Sequence, residues 1–540
     1  MKTRRHMKTN AGWKCLVLVA LALSLLRGSG VWNSVSAQDP LTSPESRGKQ
    51  IYLKGTSASG KEMLAYLGES SLEVPGSAMP CANCHGRDGQ GKPEGGVKPS
   101  SLDWETLTKP YGVTTANGRR HPPYTERGLE LAITRGIDPA GNHLLNVMPR
   151  YQMSRDDLSD LIRYLKRLGK DRDPGISENM IVIGTVIPLS GPLADTGQAV
   201  KALMTAFCDE VNSQGGIYNR HLQLKFVGTA ETPAATRANL ERFLNDEQIF
   251  AMTGAFMVGA EKEIIAVVAQ KEVPLIGPFT LYPQNGPLLN RQVFYLLSGI
   301  EEQARALVRF VAKKPEAKTG GLAIVGPQTG PNEKVIEAIR DQSKKDGLNR
   351  PDDYNYTAGH FDAAETVKKL KQSNREVIFL LSTGEETLAL MKEAEKSAWF
   401  PSIYLPGASA GREIFDAPAG FNGKIFFSFP TSPADQTPDG IKEFRALAEK
   451  YKLPAPHLAA QISAYAACKI FVEALKRAGR DVSREKLIAH LEDFNGFDTG
   501  VTPTITYGPN RRIGALGAYV ISVDLQKKQF VPASAWIGID

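Results

Sequence analysis

From residue 180 to the C-terminus, short apolar runs alternate with amphipathic stretches. The apolar runs at 181–187, 222–227, 250–253, 274–277, 322–325, 377–381 and 403–405 read as strands buried on both faces. Apolar residues spaced three and four apart predict helices over 198–212, 234–245, 261–270, 301–312, 333–345, 363–371, 385–396, 441–451 and 459–478. Such alternation implies mostly parallel sheets with helices on both faces. Some 360 residues are many for one sheet of this kind, which predicts two lobes within 180–540.

The pattern before residue 180 is different. Residues 154–168 predict one helix: Ser154 is an N-cap, Asp156 and Asp157 stand in the first turn, and Leu158, Leu161, Ile162, Leu165 and Leu168 share a face. Residues 169–179 carry charge, Pro and Gly without apolar period and read as a linker. Residues 38–46 read as a flexible leader to a first domain, 38–168. Residues 1–37 have the order of an export signal: a basic stretch to Lys14, an apolar run over 15–26, and small residues to a cleavage site near Ala37. That run is short for a membrane span. The chain is therefore expected in the periplasm.

The formal charge of +7 changes meaning once this segment is set aside. The six basic residues of 1–37 face no acid there, which leaves 59 basic against 58 acidic side chains. A near-neutral body argues against nucleic acid as a partner. No Ser/His/Asp arrangement, paired carboxylates, metal-ligand spacing or phosphate loop stands out, so no enzymatic activity is expected.

The strongest chemical signal is Cys81-Ala-Asn-Cys84-His85. Two thiols flanking two residues suit addition to the two vinyl groups of one porphyrin, and the adjacent imidazole then lies beneath the iron. A redox dithiol, a zinc site and a structural disulfide are the alternatives; the first lacks a strand–helix context and the second lacks another Cys/His pair. Candidates for a second axial ligand are Met148, His143, Met153 and His121.

Together, Arg47-Gly-Lys-Gln-Ile-Tyr52, Cys81 through Gly91, and Met148-Pro149 with its closing helix resemble a class I cytochrome c over roughly residues 45–168. The resemblance implies one covalent haem c on Cys81 and Cys84, with His85 and Met148 as axial ligands. The chain departs from the family in the 28 residues between Tyr52 and Cys81, where a short turn is usual.

The second region, too, shows an ordered set of pieces. These are the strand leading to Ser190-Gly191-Pro192, Asn212-Ser-Gln-Gly-Gly-Ile217, Gly254-Ala255, Val273-Pro-Leu-Ile-Gly-Pro278, Tyr465-Ala-Ala and the tail 500–510. They resemble the periplasmic solute-binding proteins of branched-chain amino acid importers over nearly all of 180–540. The implied architecture is a small all-α cytochrome c domain followed by a two-lobed α/β periplasmic-binding-protein domain. By this resemblance Ser190, Gly191, Ala194, Ala255, Phe256, Met257, Phe279, Thr280 and Tyr282 line a cleft. Amino acid binders of the family usually place Ser or Thr where Phe256 and Met257 stand, so the expected small-molecule solute is more apolar or aromatic. Further implied partners are a periplasmic redox protein and an ABC permease. Cys208 and Cys468 fall on helices that the family places in one lobe; a disulfide and two buried free thiols both remain open. Two roles follow: an electron carrier serving a periplasmic dehydrogenase, or an importer receptor with a haem sensor.

Overall fold

The computed structural model describes residues 41–539 apart from 69–70, 92, 94–95, 116–117, 285–289, 320 and 410. The export signal expected over 1–37 lies outside them.

The main elements of the first domain are α1 (Ser43–Lys54), β1 (Leu64–Leu67), β2 (Leu72–Pro75), α2 (Cys81–His85), α3 (Glu126–Arg135), β3 (Arg150–Gln152) and α4 (Arg155–Leu168), with a further helical turn at Trp104–Leu107 and a short ladder between Val113–Thr114 and Arg120–His121. Residues 43–46, expected in a flexible leader, are instead the first turn of α1. Thr42 and Glu45 close a capping box, with Thr42 N–H donating to Glu45 Oε2 at 2.7 Å, and Pro44 sits where a missing N–H costs nothing. Helices α1 and α4 cross at Gly48, where any Cβ would lie 2.1 Å from the Asp160 carbonyl oxygen. Past that crossing Tyr52 packs on Tyr164 with ring centroids 5.7 Å apart.

The domain is not purely helical. β1 pairs antiparallel with both β2 and β3, setting Ala65 opposite Val74 and Tyr151. The long stretch between Tyr52 and Cys81 is thus a hairpin, and its second partner strand directly follows Met148-Pro149. The connection to the second region is ordered. Val182 N–H donates to Gly175 O at 2.8 Å, and Gly175 (φ +83°) lies so close to lobe 1 that a Cβ would be 2.4 Å from Gln248 O.

Lobe 1 begins with β4 (Met180–Ile187), β5 (His221–Gly228), β6 (Ala251–Thr253), β7 (Leu275–Ile276) and β8 (Val293–Leu297). Lobe 2 begins with β9 (Gly321–Pro327), β10 (Asp352–Tyr356), β11 (Arg375–Leu380), β12 (Ser402–Pro406) and β13 (Ile425–Phe429). The chain closes with β14 (Ile513–Ala515), β15 (Gly517–Asp524), β16 (Gln529–Pro532) and β17 (Ile537–Gly538). Lobe 1 has the all-parallel order β14-β8-β7-β6-β4-β5. Lobe 2 has the order β10-β9-β11-β12-β13-β15-β16, parallel through β13 and antiparallel beyond, with β17 on β15. Helices α5 (Ala194–Ser213), α6 (Glu261–Gln270), α7 (Ile300–Val311), α8 (Gly384–Lys396) and α9 (Leu458–Ala478) cover the faces. α9 is long and apolar enough to cross a membrane, yet most of it is buried and it packs along α5.

The chain crosses between lobes after β8, after β13 and between β14 and β15. Ser298 staples two of these crossings: its Oγ donates to Ala515 O at 2.9 Å and accepts from Gly517 N–H at 2.8 Å. Beside it Glu302, 4% exposed, accepts from Gly299 N–H at 3.1 Å, and burial pushes its carboxyl up to about 7.

Candidate functional site

The single turn α2 carries Cys81, Cys84 and His85 on one wall of a cavity of about 650 Å³. Helical pitch places residues three and four apart on the same side. Leu129, Ile133, Leu161 and Leu165 of α3 and α4 supply apolar lining, and Met148, Tyr151 and His121 lie on other parts of it. Met148 enters the cavity lining; His143 and Met153 do not, and His143 is exposed. Met79 also lines the cavity, a residue that sequence reasoning missed.

His85 Nδ1 lies 3.0 Å from Ser100 O, which orients the ring and leaves Nε2 as the free nitrogen. Burial lowers its proton affinity, opposed by the Ser100 carbonyl, so the imidazole is neutral and fit to ligate. Burial likewise pushes the Cys81 thiol up to about 12. Tyr52 OH donates to Gly86 O at 2.6 Å and Tyr151 OH donates to Met79 O at 2.6 Å, clamping both sides of α2. Arg150 bonds the Met148 carbonyl, and its Nη2 donates to Leu144 O at 2.9 Å, so one guanidinium shapes the Met148 loop. His121 is buried, its Nδ1 2.8 Å from Pro122 O and its ring edge-on to Tyr124. The cavity volume, paired thiols, neutral oriented imidazole and apolar lining fit a covalent haem.

The turn after His85 also meets lobe 1. Arg87 pairs bidentately with Glu272, Ser483 Oγ reaches Asp88 at 3.5 Å, and Arg484 N–H donates to Asp173 at 2.5 Å. The Arg484 guanidinium in turn holds the carbonyls of Ile249, Phe250 and Lys271.

The carboxyl ends of the parallel strands form the ligand-accessible edges of each lobe. In lobe 1, Ser190 and Gly191 are exposed after β4, Ala194 begins α5, and Thr280 and Tyr282 are half-buried after β7. Thr280 Oγ1 donates to Glu261 at 3.2 Å, and Tyr282 N–H donates to Thr280 Oγ1 at 3.0 Å. Ala255, Phe256 and Met257 are buried in the lobe, and Phe256 stacks on Phe279 with centroids 4.4 Å apart. The structure therefore brings the first and fourth loops to the edge while the third loop's Ala255–Met257 pack inward. Sequence reasoning named no lobe 2 residue. A cavity of about 460 Å³ nevertheless opens there among Pro327, Ser382, Thr383, Gly384, Ser409 and Glu413. Cys208 and Cys468 are buried free thiols in the same core cluster.

Two parallel-sheet lobes joined by three crossings define a hinged solute-binding fold, here preceded by a module with a haem-attachment motif. Residues 180–529 match the family model described as "Periplasmic binding protein", and the chain belongs to that family. Residues 77–169 match the model described as "Cytochrome c", so the chain carries a cytochrome c domain ahead of its periplasmic-binding-protein domain. The chain is 24% identical over 327 residues to "Leu/Ile/Val-binding protein homolog 3" of Brucella melitensis, covering 61% of this chain and 87% of the relative. It is 23% identical over 328 residues to "Leu/Ile/Val-binding protein BraC3" of Rhizobium johnstonii, again covering 61% and 87%. A branched-chain amino acid ABC transporter from Thermus thermophilus with bound valine shares the fold at TM-score 0.53 and 18% identity, covering 68% of this chain and 97% of that one. A fatty acid ABC transporter substrate-binding protein from Thermomonospora curvata does so at 0.54 and 16%, covering 68% and 95%.

Proposed function

We propose that this protein is a periplasmic one-electron carrier, with one covalent haem c coupled to a solute-binding domain, that serves a periplasmic dehydrogenase. The carrying observation is the cavity in which Cys81, Cys84 and the Ser100-oriented His85 face a lining that includes Met148. Bound there, a haem supplies reversible one-electron exchange between ferric and ferrous states. Cys81 and Cys84 hold it covalently, and His85 and Met148 ligate it. Arg150 fixes the Met148 loop, Tyr52 and Tyr151 fix α2, and the apolar walls exclude water. The chain acts as carrier and binder and not as an enzyme. It is exported by a signal over 1–37. Its receptor domain takes a small molecule between the lobes, with Ser190, Gly191, Thr280 and Tyr282 at the lobe 1 edge.

The test is anaerobic: the oxidised purified protein is mixed with chromatographic fractions of its host's periplasm and a dehydrogenase substrate. Reduction of the haem by a dehydrogenase-containing fraction supports the proposal. Failure of every fraction, with the haem still reducible by dithionite, overturns it.

A second reading is an importer receptor with a haem redox or gas sensor. It is favoured by the relatives called Leu/Ile/Val-binding proteins. Capture of an ABC permease by the solute-loaded protein supports this second role.

A further inference from the structure

Between the first domain and lobe 1 lies a cavity of about 440 Å³. Arg172 of the connection, Arg220 just before β5 and Arg480 just beyond α9 line it together. A tight turn presents Arg220. Ile217 N–H donates to Arg220 O at 2.8 Å, Arg220 N–H donates to Ile217 O at 3.0 Å, and Tyr218 (φ +51°) and Asn219 (φ +63°) between them are both left-handed. Arg220 is 4% exposed, yet no carboxylate stands within ion-pair reach of it among the described residues. Its Nε donates to Ser177 O at 2.7 Å and its Nη1 to Arg480 O at 2.5 Å, while Nη2 has no partner among those residues.

The charges around Arg220 do not neutralise it. Burial holds its guanidinium below the usual arginine range, Arg172 and Arg480 push in the same direction, and Asp481 and Glu178 oppose them. Carboxylates line the cavity as well, but most are engaged. Asp171 pairs with Lys49 and Glu485 with Arg291. Asp103 and Asp173 accept from the N–H groups of Thr106 and Arg484, and Asp88 accepts from Gln90 N–H. Of the lining carboxylates only Glu105 and Asp481 have no partner among the described residues, and the guanidinium groups of Arg172 and Arg480 have none there either. A buried guanidinium without a counter-charge is costly, and three such forks around one cavity suit the oxygens of a tetrahedral anion.

From this unfilled set of donors we infer that the seam binds a phosphate-class oxyanion, held by Arg172, Arg220 and Arg480. Arg172 belongs to the connection and the other two to lobe 1, so the bound anion fastens 169–179 against that lobe. Asp481 faces the same group and weakens the site by repulsion. The site is separate from the haem cavity, with which it shares no lining residue.

Calorimetric titration of the full holoprotein with inorganic phosphate, sulfate and glycerol 3-phosphate, at constant ionic strength in chloride, tests it. One anion is expected per chain. Arg172→Gln and Arg480→Gln are each expected to weaken phosphate binding at least about tenfold, and Asp481→Asn to tighten it. Lys368, exposed on lobe 2, controls for bulk charge, and Lys368→Gln is expected to leave the affinity unchanged. Phosphate is also expected to slow protease cleavage within 169–179 in the wild type and not in Arg172→Gln. A tighter complex with glycerol 3-phosphate assigns the site to phosphate monoesters, and a tighter one with an inorganic anion assigns it to the free ion; both uphold the oxyanion. No heat from any of the three with an unaltered haem spectrum, or equal weakening by Lys368→Gln, overturns the site.

Discussion

Arg87, two residues beyond His85, grips Glu272 of lobe 1 with both guanidinium nitrogens, each 2.7 Å from a carboxylate oxygen. Both side chains are close to half exposed, so solvent screens the pair and its coupling is about 0.5–1 kcal/mol. A double-mutant cycle with Arg87→Ala and Glu272→Ala, read by denaturant unfolding, is expected to return that value. Each single variant is also expected to increase protease cleavage within 169–179, because the pair helps pin that connection to lobe 1.

Thioether ligation raises a haem's reduction potential relative to bis-histidine ligation. Met148→His is therefore expected to lower the midpoint in a potentiometric titration while keeping a low-spin spectrum. Arg150→Ala loosens the Met148 loop, because that guanidinium bonds the carbonyls of Met148 and Leu144. A growing high-spin fraction, with the haem still covalently attached, is the expected outcome.

Glu302 gives a pH dependence of known sign. In the folded protein burial raises its carboxyl from an ordinary 4.5 to about 7. Between those values the folded state holds a proton that the unfolded chain has lost. Stability contributed by this group is thus greatest in acid and falls as pH rises toward 7. Glu302→Gln keeps an acceptor for Gly299 N–H and abolishes the charge. Its unfolding free energy is expected to exceed wild type by on the order of 3 kcal/mol at pH 8, with little difference at pH 4.5. Thermal unfolding at the two pH values checks this.

Gly48→Ala pushes a methyl group against the Asp160 carbonyl, which belongs to backbone and cannot rotate away. A loss of about 1–3 kcal/mol in the stability of the first domain is expected. Unfolding followed by haem absorbance isolates that domain from the receptor.

Cys208 and Cys468 are expected to resist thiol reagents in the folded state and to react as two thiols once denatured without reductant. Burial pushes the Cys208 thiol up to about 12 and raises the Cys468 thiol well above its ordinary value, so neither offers thiolate at neutral pH. Quantified alkylation of native and denatured protein measures both.

Cys81, Cys84 and His85 are legible in the sequence because covalent chemistry asks for that spacing within one turn, and Met148 because its loop and the capped helix at Ser154 are local signals; all four line one cavity. The strands β8 and β13 were not anticipated, although Val293–Leu297 and Ile425–Phe429 are both apolar runs. β10, Asp-Asp-Tyr-Asn-Tyr, is a polar edge strand and lacks the buried pattern altogether. The cleft was the least legible part. Phe256 and Met257 look like lining residues by position, yet the former stacks on Phe279 and the latter is fully buried in lobe 1. Glu413 gave no local signal, since the cavity it lines is assembled with separate loops that bring Pro327 and Ser382.

The contacts described for the cytochrome domain land on lobe 1, through Glu272, Ser483 and Arg484. Were the lobes to open and close as a clamp, a haem held in that domain would travel with lobe 1 past lobe 2. A ferric ion is paramagnetic, so its broadening of nuclear resonances on lobe 2 becomes a ruler for clamp angle. This molecule comes with its own distance reporter, and no foreign spin label need be attached to watch it move.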